Sequence, residues 1–132
     1  MTSVVDASVV AAALVDEGET GSWARSSFRE GLVAAPAHLP VEVCSALRRA
    51  VLAGRLPREV AALALQDFVA LPVQLFAFAP FASRVWELHP AVTAYDAAYV
   101  ALAEELGAPL RTLDGRLARA PGPRCRFLLG PR

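Results

Sequence analysis

Short apolar runs alternate along this chain with longer segments in which apolar residues recur at helical spacing. The short runs, which are typical of buried strands, are residues 3–5, 32–35, 73–76, 110–113 and 127–129. The longer segments predict helices at residues 7–15, 20–31, 41–54, 57–70, 81–88 and 93–107, and residues 115–119 predict a turn or short helix. Parallel strands require long crossover connections, so this alternation predicts an α/β fold with a central parallel sheet covered by helices on both faces.

Capping residues mark both ends of the predicted helix at residues 93–107. Thr93 is an N-cap residue, and Asp96, three positions later, occupies the acidic position of a capping box. Gly107 supplies a C-terminal cap, and the strand at residues 110–113 then leads to Asp114. One aspartate therefore lies in the first turn of this helix, and another lies just beyond the next strand.

Four carboxylates stand at the ends of predicted elements. Asp6 and Asp114 each follow a strand, and in open parallel sheets functional groups concentrate beyond the carboxyl ends of the strands. Asp96 and Glu42 fall in the first turns of two helices, where the helix dipole stabilises an anion by about 0.3 to 1 kcal/mol. The pattern predicts that these four side chains converge from four separate segments.

A cluster of carboxylates is electrostatically unstable by itself. Two like charges about 4 Å apart repel by roughly 4 kcal/mol at an effective dielectric constant near 20. This repulsion exceeds the stabilisation that the helix dipoles give to the anions. Such a cluster must take up protons or bind cations. An all-oxygen set without a neighbouring histidine or cysteine favours a hard ion, Mg²⁺ or Mn²⁺, which near phosphate activates water and neutralises the developing charge.

The same residues also have purely structural interpretations. Asp96 is a candidate helix cap, Glu42 a candidate partner of the helix dipole, and Asp114 a candidate turn former. Asp6 fits such a role less well, because a carboxylate between a strand and an apolar helix is expected to be partly buried without a partner, and burying a charge is costly. His38 lies beside prolines in a predicted loop and is interpreted as a surface or hydrogen-bonded residue rather than a general base.

The composition bounds the class of protein. At 132 residues the chain fits one domain, residues 1–132. Hydrophobic residues make up 55% of it and the mean hydropathy is +0.41, yet no apolar run reaches the roughly 18 residues that a membrane span requires. The apolar residues 9–15 follow Asp6 and no basic residue, unlike an export signal, so a cytoplasmic location is expected. Trp23, Phe28 and Trp86 are expected to pack in the core.

The basic residues restrict the possible chemistry. The chain has no lysine, which excludes a Schiff-base lysine, a Walker phosphate loop and the lysine that aspartyl-phosphate receivers and haloacid-type phosphatases use. The formal net charge is zero, so no global field attracts nucleic acid. Arginines nevertheless crowd the C-terminal stretch, where they form either a phosphate-binding rim or a solvated basic face. They are Arg111, Arg116, Arg119, Arg124, Arg126 and Arg132.

Motifs along nearly the whole chain resemble those of the PIN-domain ribonucleases, in particular the VapC toxins of bacterial toxin-antitoxin pairs. They are VVDAS at Val4–Ser8, LPVEV with LRRA and GRL between Leu39 and Leu56, and TAYDAAYVALAEELGAPLRTLD at Thr93–Asp114 followed by GRLARA. The resemblance implies a three-layer α/β/α sandwich around a parallel sheet. It also implies an acidic pocket that binds Mg²⁺ or Mn²⁺ and hydrolyses RNA phosphodiesters.

The resemblance assigns roles to individual residues. Asp6, Glu42, Asp96 and Asp114 match the family's acidic positions. Thr112 matches its hydroxyl residue two before the last acid, and Ser8 matches its small polar residue after the first acid. Three of the acids, Asp6, Asp96 and Asp114, would hold the metal directly or through water.

By the same resemblance, Glu42 would orient or deprotonate the attacking water, and hydrolysis would leave a 5′-phosphate and a 3′-hydroxyl. Ser8 and Thr112 would hydrogen-bond a carboxylate or a bound water. Gly115 and Arg116 stand where some relatives carry a further acid. One metal is therefore expected, with another recruited by the substrate.

The resemblance further implies protein partners beside an RNA substrate. Relatives pair with a small VapB-like antitoxin whose C-terminal segment wraps the toxin and whose N-terminal part binds operator DNA, so DNA contact is expected only through the antitoxin. A homodimer is implied as well. Two other functions fit the same residues: a non-enzymatic PIN-like protein-binding module, and a housekeeping ribonuclease without an antitoxin. Metal-dependent RNA cleavage distinguishes the first, and the identity of the gene neighbour distinguishes the second.

Overall fold

The computed structural model describes residues 1–131, so Arg132 lies outside the described residues. The strands are β1 Thr2–Val5, β2 Leu32–Pro36, β3 Val73–Phe76, β4 Leu110–Thr112 and β5 Phe127–Leu129. The helices are α1 Ala7–Val15, α2 Glu19–Arg29, α3 Leu39–Leu52, α4 Arg58–Ala70, α5 Ala82–Glu87, α6 Ala94–Leu106 and α7 Gly115–Arg119. A 3₁₀ turn, Ala79–Phe81, precedes α5.

The five strands form one parallel sheet in the order β3-β2-β1-β4-β5. The chain moves outward from β1 through β2 to β3, and then returns past β1 to β4 and β5. Because crossovers between parallel strands are right-handed, this reversal of direction places α1 to α4 on one face of the sheet and α5 to α7 on the other. The predicted three-layer α/β/α sandwich with a central parallel sheet is confirmed.

Helix α6 is the most deeply buried helix in the described part of the chain. Its residues 97–103 are all buried, and four of them are alanines, whose small side chains allow close approach to the sheet. Thr93 Oγ1 accepts a hydrogen bond from the backbone N–H of Asp96 at its start. Gly107 ends it with a left-handed φ of 61°, which glycine adopts without strain. These caps fix Asp96 in the first turn.

Element boundaries differ from the predicted ones by one or two residues at most ends. Pro57 is the N-cap of α4 rather than its first residue. The predicted helix at residues 81–88 is divided into the 3₁₀ turn and α5, and Pro80 lies in the first residues of that turn. A proline is tolerated there because the missing N–H would have no helical partner.

Two expectations about burial are wrong. Trp86 is 70% exposed and stacks on the His89 ring, because its neighbour Val85 is the α5 residue that enters the core. Arg111 does not belong to a basic surface, since it is buried and its Nη2 lies 3.0 Å from Glu30 Oε1. Trp23 packs against the core as expected. Across residues 1–131, the helices lack the combination of length and hydropathy that crossing a membrane demands.

Candidate active site

The strand order reverses between β1 and β4, which are neighbours in the sheet. A crevice forms at such a reversal, beyond the carboxyl ends of the strands. Asp6 directly follows β1, and Asp114 lies two residues beyond β4. The first turns of α6 and α3 carry Asp96 and Glu42.

Asp6 is buried and fully engaged in hydrogen bonds. Its Oδ1 accepts from the Ser8 hydroxyl at 2.5 Å and from the Val9 backbone N–H at 3.2 Å, and its Oδ2 accepts from the Thr112 hydroxyl at 2.5 Å. Burial raises the pKa of Asp6, and the hydrogen bonds from Ser8, Thr112 and the backbone oppose that shift. The expectation that this carboxylate lacks a partner is therefore wrong.

Ser8 and Thr112 connect Asp6 to the loop that carries Asp114. Each hydroxyl donates its proton to Asp6 and accepts a backbone N–H in return, Ser8 from Leu113 at 3.2 Å and Thr112 from Asp114 at 3.0 Å. The connection joins the end of β1 to the end of β4. It ties the position of the Asp114 backbone to that of the Asp6 carboxylate.

Asp114 caps α7 while remaining accessible. Its Oδ1 accepts from the backbone N–H groups of Arg116 at 2.9 Å and Leu117 at 3.4 Å. The Arg116 guanidinium is 91% exposed and its Nε lies 4.0 Å from the same oxygen. The turn-forming interpretation thus describes some of its contacts, but the side chain is 38% exposed and solvent reaches it.

The negative charges of the other three carboxylates affect the pKa of Asp96. Its pKa is raised first by burial and then by the negative charges of Asp6, Glu42 and Asp114, while a hydrogen bond with Thr93 lowers it. Hydrogen bonds join the same elements, since Tyr99 of α6 contacts Glu42 and Thr112 of β4 contacts Asp6. The four predicted acids, carried by four elements, are thus brought into one region, and Asp96 and Asp114 line the same cavity.

Two residues that the sequence analysis left outside the site contact Glu42. The buried Tyr99 hydroxyl donates to Glu42 Oε1 at 2.6 Å, and His38 Nε2 lies 3.3 Å from the same oxygen. His38 Nε2 is also 3.2 Å from the Tyr95 carbonyl oxygen. Because both of these partners are acceptors, Nε2 carries the proton. Burial and then the bond to Glu42 raise the pKa of Tyr99, so its phenol remains a donor.

Helical spacing is the sequence signal that points to these two residues. Tyr99 follows Asp96 by three positions, and His38 precedes Glu42 by four, so each faces the same side of a helix as an acid. The contact between Tyr99 and Glu42 joins α6 to α3.

The donor set suits a hard divalent cation. All four acids offer oxygen, and the charges around Asp96 are those that a cation would offset. Within residues 1–131, no three acidic, histidine or cysteine side chains are grouped closely enough to hold a metal ion. Mg²⁺ commonly keeps several waters and takes only one or two carboxylates. An Mg²⁺ or Mn²⁺ ion bound here would therefore take most of its ligands from water rather than from a closed protein cage.

Sequence comparison gives a consistent family. A model of the PIN domain family matches residues 3–123. The chain is 43% identical to Ribonuclease VapC1 of Mycobacterium tuberculosis over 130 residues, which cover 96% of each protein. It is 40% identical to Ribonuclease VapC12 of the same species over 119 residues, which cover 90% of this chain and 92% of the relative.

Solved structures share the fold at lower identity. VapBC2 from Rickettsia felis, crystallised with a DNA fragment from its promoter, superposes with a TM-score of 0.71 at 13% identity, covering 99% of this chain and 100% of that one. The M. tuberculosis toxin VapC20, which cleaves the sarcin-ricin loop, gives a TM-score of 0.66 at 20% identity, covering 89% and 93%. Together with the sequence matches, these findings show that the chain belongs to the PIN domain family and, within it, to the VapC ribonucleases.

Proposed function

We propose that this protein is a metal-dependent endoribonuclease acting as the toxin of a type II toxin-antitoxin system. The observation that carries the proposal is geometric: the Thr112 hydroxyl joins Asp6 to the Asp114 backbone, and Asp114 lines one cavity with Asp96. Negative charges gathered from four elements cost free energy unless they bind a cation. Membership of the VapC ribonucleases supports RNA as the substrate.

The aspartates form the cation side of the proposed site. Asp96 and Asp114, which solvent reaches, would hold Mg²⁺ or Mn²⁺, and Asp6 would contribute directly or through water. When bound, the cation lowers the pKa of water and neutralises charge on the phosphate. Ser8 and Thr112 keep the Asp6 carboxylate fixed through their two hydroxyl bonds.

Glu42 forms the base side of the proposed site. Tyr99 and His38 both contact its Oε1, which leaves Oε2 to accept a proton from the attacking water. The water oxygen bonds to phosphorus opposite the leaving 3′-oxygen, the phosphorus to 3′-oxygen bond breaks, and that oxygen takes up a proton. The products are a 5′-phosphate and a 3′-hydroxyl.

The partners in this proposal are an antitoxin and a second copy of the chain. Large apolar side chains stay exposed on α3 and α4, which is typical of surfaces that a protein covers. They are Val41, Leu52, Val60, Leu63 and Val69. A VapB-like antitoxin would cover part of this surface and would make the only contact with DNA. In support of a DNA-binding complex, the Rickettsia relative VapBC2 was crystallised with a DNA fragment from its promoter.

RNA cleavage by the purified protein tests the proposal. The wild-type chain should cut single-stranded RNA with Mg²⁺ or Mn²⁺ and leave 5′-phosphates, and EDTA should stop it. Asp96→Asn should reduce the rate by at least a hundredfold, as expected for loss of a metal-binding carboxylate. Asp67→Asn, on the exposed surface of α4, is the matched control and should cut at the wild-type rate.

Cleavage that persists in EDTA, or that Asp96→Asn leaves unchanged, would overturn the metal site. No cleavage of any RNA would favour the protein-binding module instead. Co-expression with the neighbouring gene product should suppress toxicity and yield a complex. A toxic chain with no such partner would be a ribonuclease without an antitoxin.

A further inference from the structure

An apolar cavity opens beside the acidic site, at the same carboxyl end of the strands. It lies at the carboxyl ends of β2 and β3, where Pro36 pairs with Phe76, and its volume is about 310 Å³. The N-terminal half of α6 forms its opposite wall through Tyr95 and Ala98. The proposed mechanism does not use this cavity.

Two of the aromatic rings that line the cavity are largely exposed rather than packed in the core. Phe78 is 55% exposed and Tyr95 is 65% exposed, so both rings are presented to solvent at the cavity. Phe76, Phe81 and the imidazole of His38 complete the aromatic lining. Exposed rings around an apolar hollow are the arrangement on which unpaired RNA bases stack.

His38 makes the cavity continuous with the acidic site. Its ring lines the cavity, while its Nε2 lies 3.3 Å from Glu42 Oε1. The ring also meets those of Tyr95 and Tyr99 edge-on, at centroid distances of 5.9 Å and 5.2 Å, so its position is fixed. A ligand in the cavity therefore lies beside the group proposed to act on the attacking water.

Size and position favour a nucleobase over a protein segment. The volume is at the lower end of the roughly 300 to 1,000 Å³ found for small-molecule pockets, whereas a helix with side chains is about 10 Å across. A phosphodiester held at the carboxylates joins two nucleosides, so one base lies on each side of it. We propose that this cavity binds one unpaired base of the RNA substrate next to the phosphate that is cleaved, an inference that rests on the proposed function.

Binding without cleavage tests the cavity separately from the nuclease. In an Asp96→Asn background, a short fluorescent single-stranded RNA is titrated and its dissociation constant is measured. Adding Tyr95→Ala or Phe78→Ala should weaken binding about tenfold, which corresponds to about 1.4 kcal/mol. Tyr95→Phe keeps the ring and should bind normally. Trp86→Ala removes an exposed ring outside the cavity lining and serves as the control.

An abasic nucleotide moved along the RNA identifies the bound base. At one position it should weaken binding of the Asp96→Asn parent about tenfold, and it should cost nothing further once Tyr95→Ala is present. Additive losses would overturn the proposal, as would failure of the RNA to bind. Dissociation of a dimer by Phe78→Ala, seen by sedimentation, would show that a second copy occupies the cavity.

The two proposals fail in distinguishable ways. If the wild-type protein cuts no RNA but the base and Tyr95 are coupled in binding, the cavity assignment stands and the nuclease does not. If Asp96-dependent cleavage occurs while every abasic RNA binds like the intact one, the nuclease stands and the cavity assignment is wrong.

Discussion

At the residue scale, the contact between Tyr99 and Glu42 makes a specific prediction. Tyr99→Phe removes the hydroxyl that donates to Glu42 Oε1 at 2.6 Å and changes little else. Glu42 is partly exposed, so water can replace the lost donor. The lost interaction free energy should therefore fall near the lower end of the roughly 1.5 to 3 kcal/mol typical of hydrogen bonds to charged groups. We expect kcat for RNA cleavage to fall about tenfold with KM nearly unchanged.

A conservative control separates this positioning role from a structural one. Ser83→Ala removes a hydroxyl from an exposed serine on α5 and should leave kcat and the melting temperature as they are. If Tyr99→Phe lowered only thermal stability, or raised KM without affecting kcat, Tyr99 would not be orienting Glu42.

Charge at Asp96 predicts a pH-dependent change in stability. Its pKa is raised above 3.8, so the folded protein binds this proton more readily than the unfolded chain does. Stability from this group is therefore full below the unfolded pKa and is lost as pH rises through the folded pKa. Asp96→Asn, which lacks the charge, should stabilise the protein at pH 7 by about 1 kcal/mol, since the site is partly open to solvent.

Thermal unfolding checks this sign. Asp96→Asn should melt a few degrees above wild type at pH 7, and the difference should shrink as pH falls towards the range where aspartate protonates. Mg²⁺ should raise the melting temperature of the wild type more than that of the variant. A variant that is less stable than wild type at pH 7 would mean that Asp96 acts chiefly as a cap.

The sequence identifies the acids better than it identifies their neighbours. The positions of Asp6 and Asp114 could be predicted because an acid at the carboxyl end of an apolar strand has a fixed place in a parallel sheet. Helical spacing places Tyr99 and His38 on the same side of a helix as an acid, but it does not show that Tyr99 on α6 contacts Glu42 on α3. That contact joins Glu42 to a residue 57 positions away, and local periodicity carries no information about it.

At the element scale, the hydroxyl connection between β1 and β4 predicts a large cost for a small substitution. Thr112→Val keeps the shape but removes the group that donates to Asp6 Oδ2 and accepts the Asp114 N–H. Thr112 is fully buried, so these groups lose their partner away from water. We expect the free energy of unfolding to fall by about 2 to 4 kcal/mol, measured by urea denaturation.

Thr112→Ser supplies the matched comparison. It keeps the hydroxyl and deletes only a buried methyl group, so it should cost about 1 kcal/mol. A Thr112→Val variant as stable as the wild type would show that the hydroxyl connection contributes nothing to stability.

Elements with strong local patterns were predictable, and those set by tertiary contacts were not. α6 has an N-cap threonine, an apolar interior and a terminal glycine, and its bounds match the prediction closely. α5 depends on Pro80 and on which side of a six-residue helix enters the core, and the expected burial of Trp86 was wrong. Short helices offer too few positions for periodicity to define a face.

At the scale of the whole molecule, the distribution of charge around the acidic site is asymmetric. The formal net charge is zero, so a polyanion is not attracted by the protein as a whole. Arg116 and Arg119 are exposed beside Asp114, whereas the aromatic cavity lies on the other side of the carboxylates, next to Glu42. RNA bound across the site would place its backbone against the arginines and a base in the cavity.

This asymmetry predicts how RNA affinity depends on salt. Each phosphate contact made by an arginine releases counterions, so it contributes about 0.7 to the slope of log K against log salt concentration for single strands. In the Asp96→Asn background, Arg116→Ala should reduce the slope by about that amount. Arg29→Ala removes an exposed charge at the end of α2, just before β2 begins. Arg29 therefore lies at the amino end of the strands, opposite the acidic site, and its loss should leave the slope unchanged. If Arg116 serves only Asp114, both variants will match the parent slope. The phosphate-binding rim must then be sought among the other exposed arginines of residues 111–131, which are Arg119, Arg124 and Arg126.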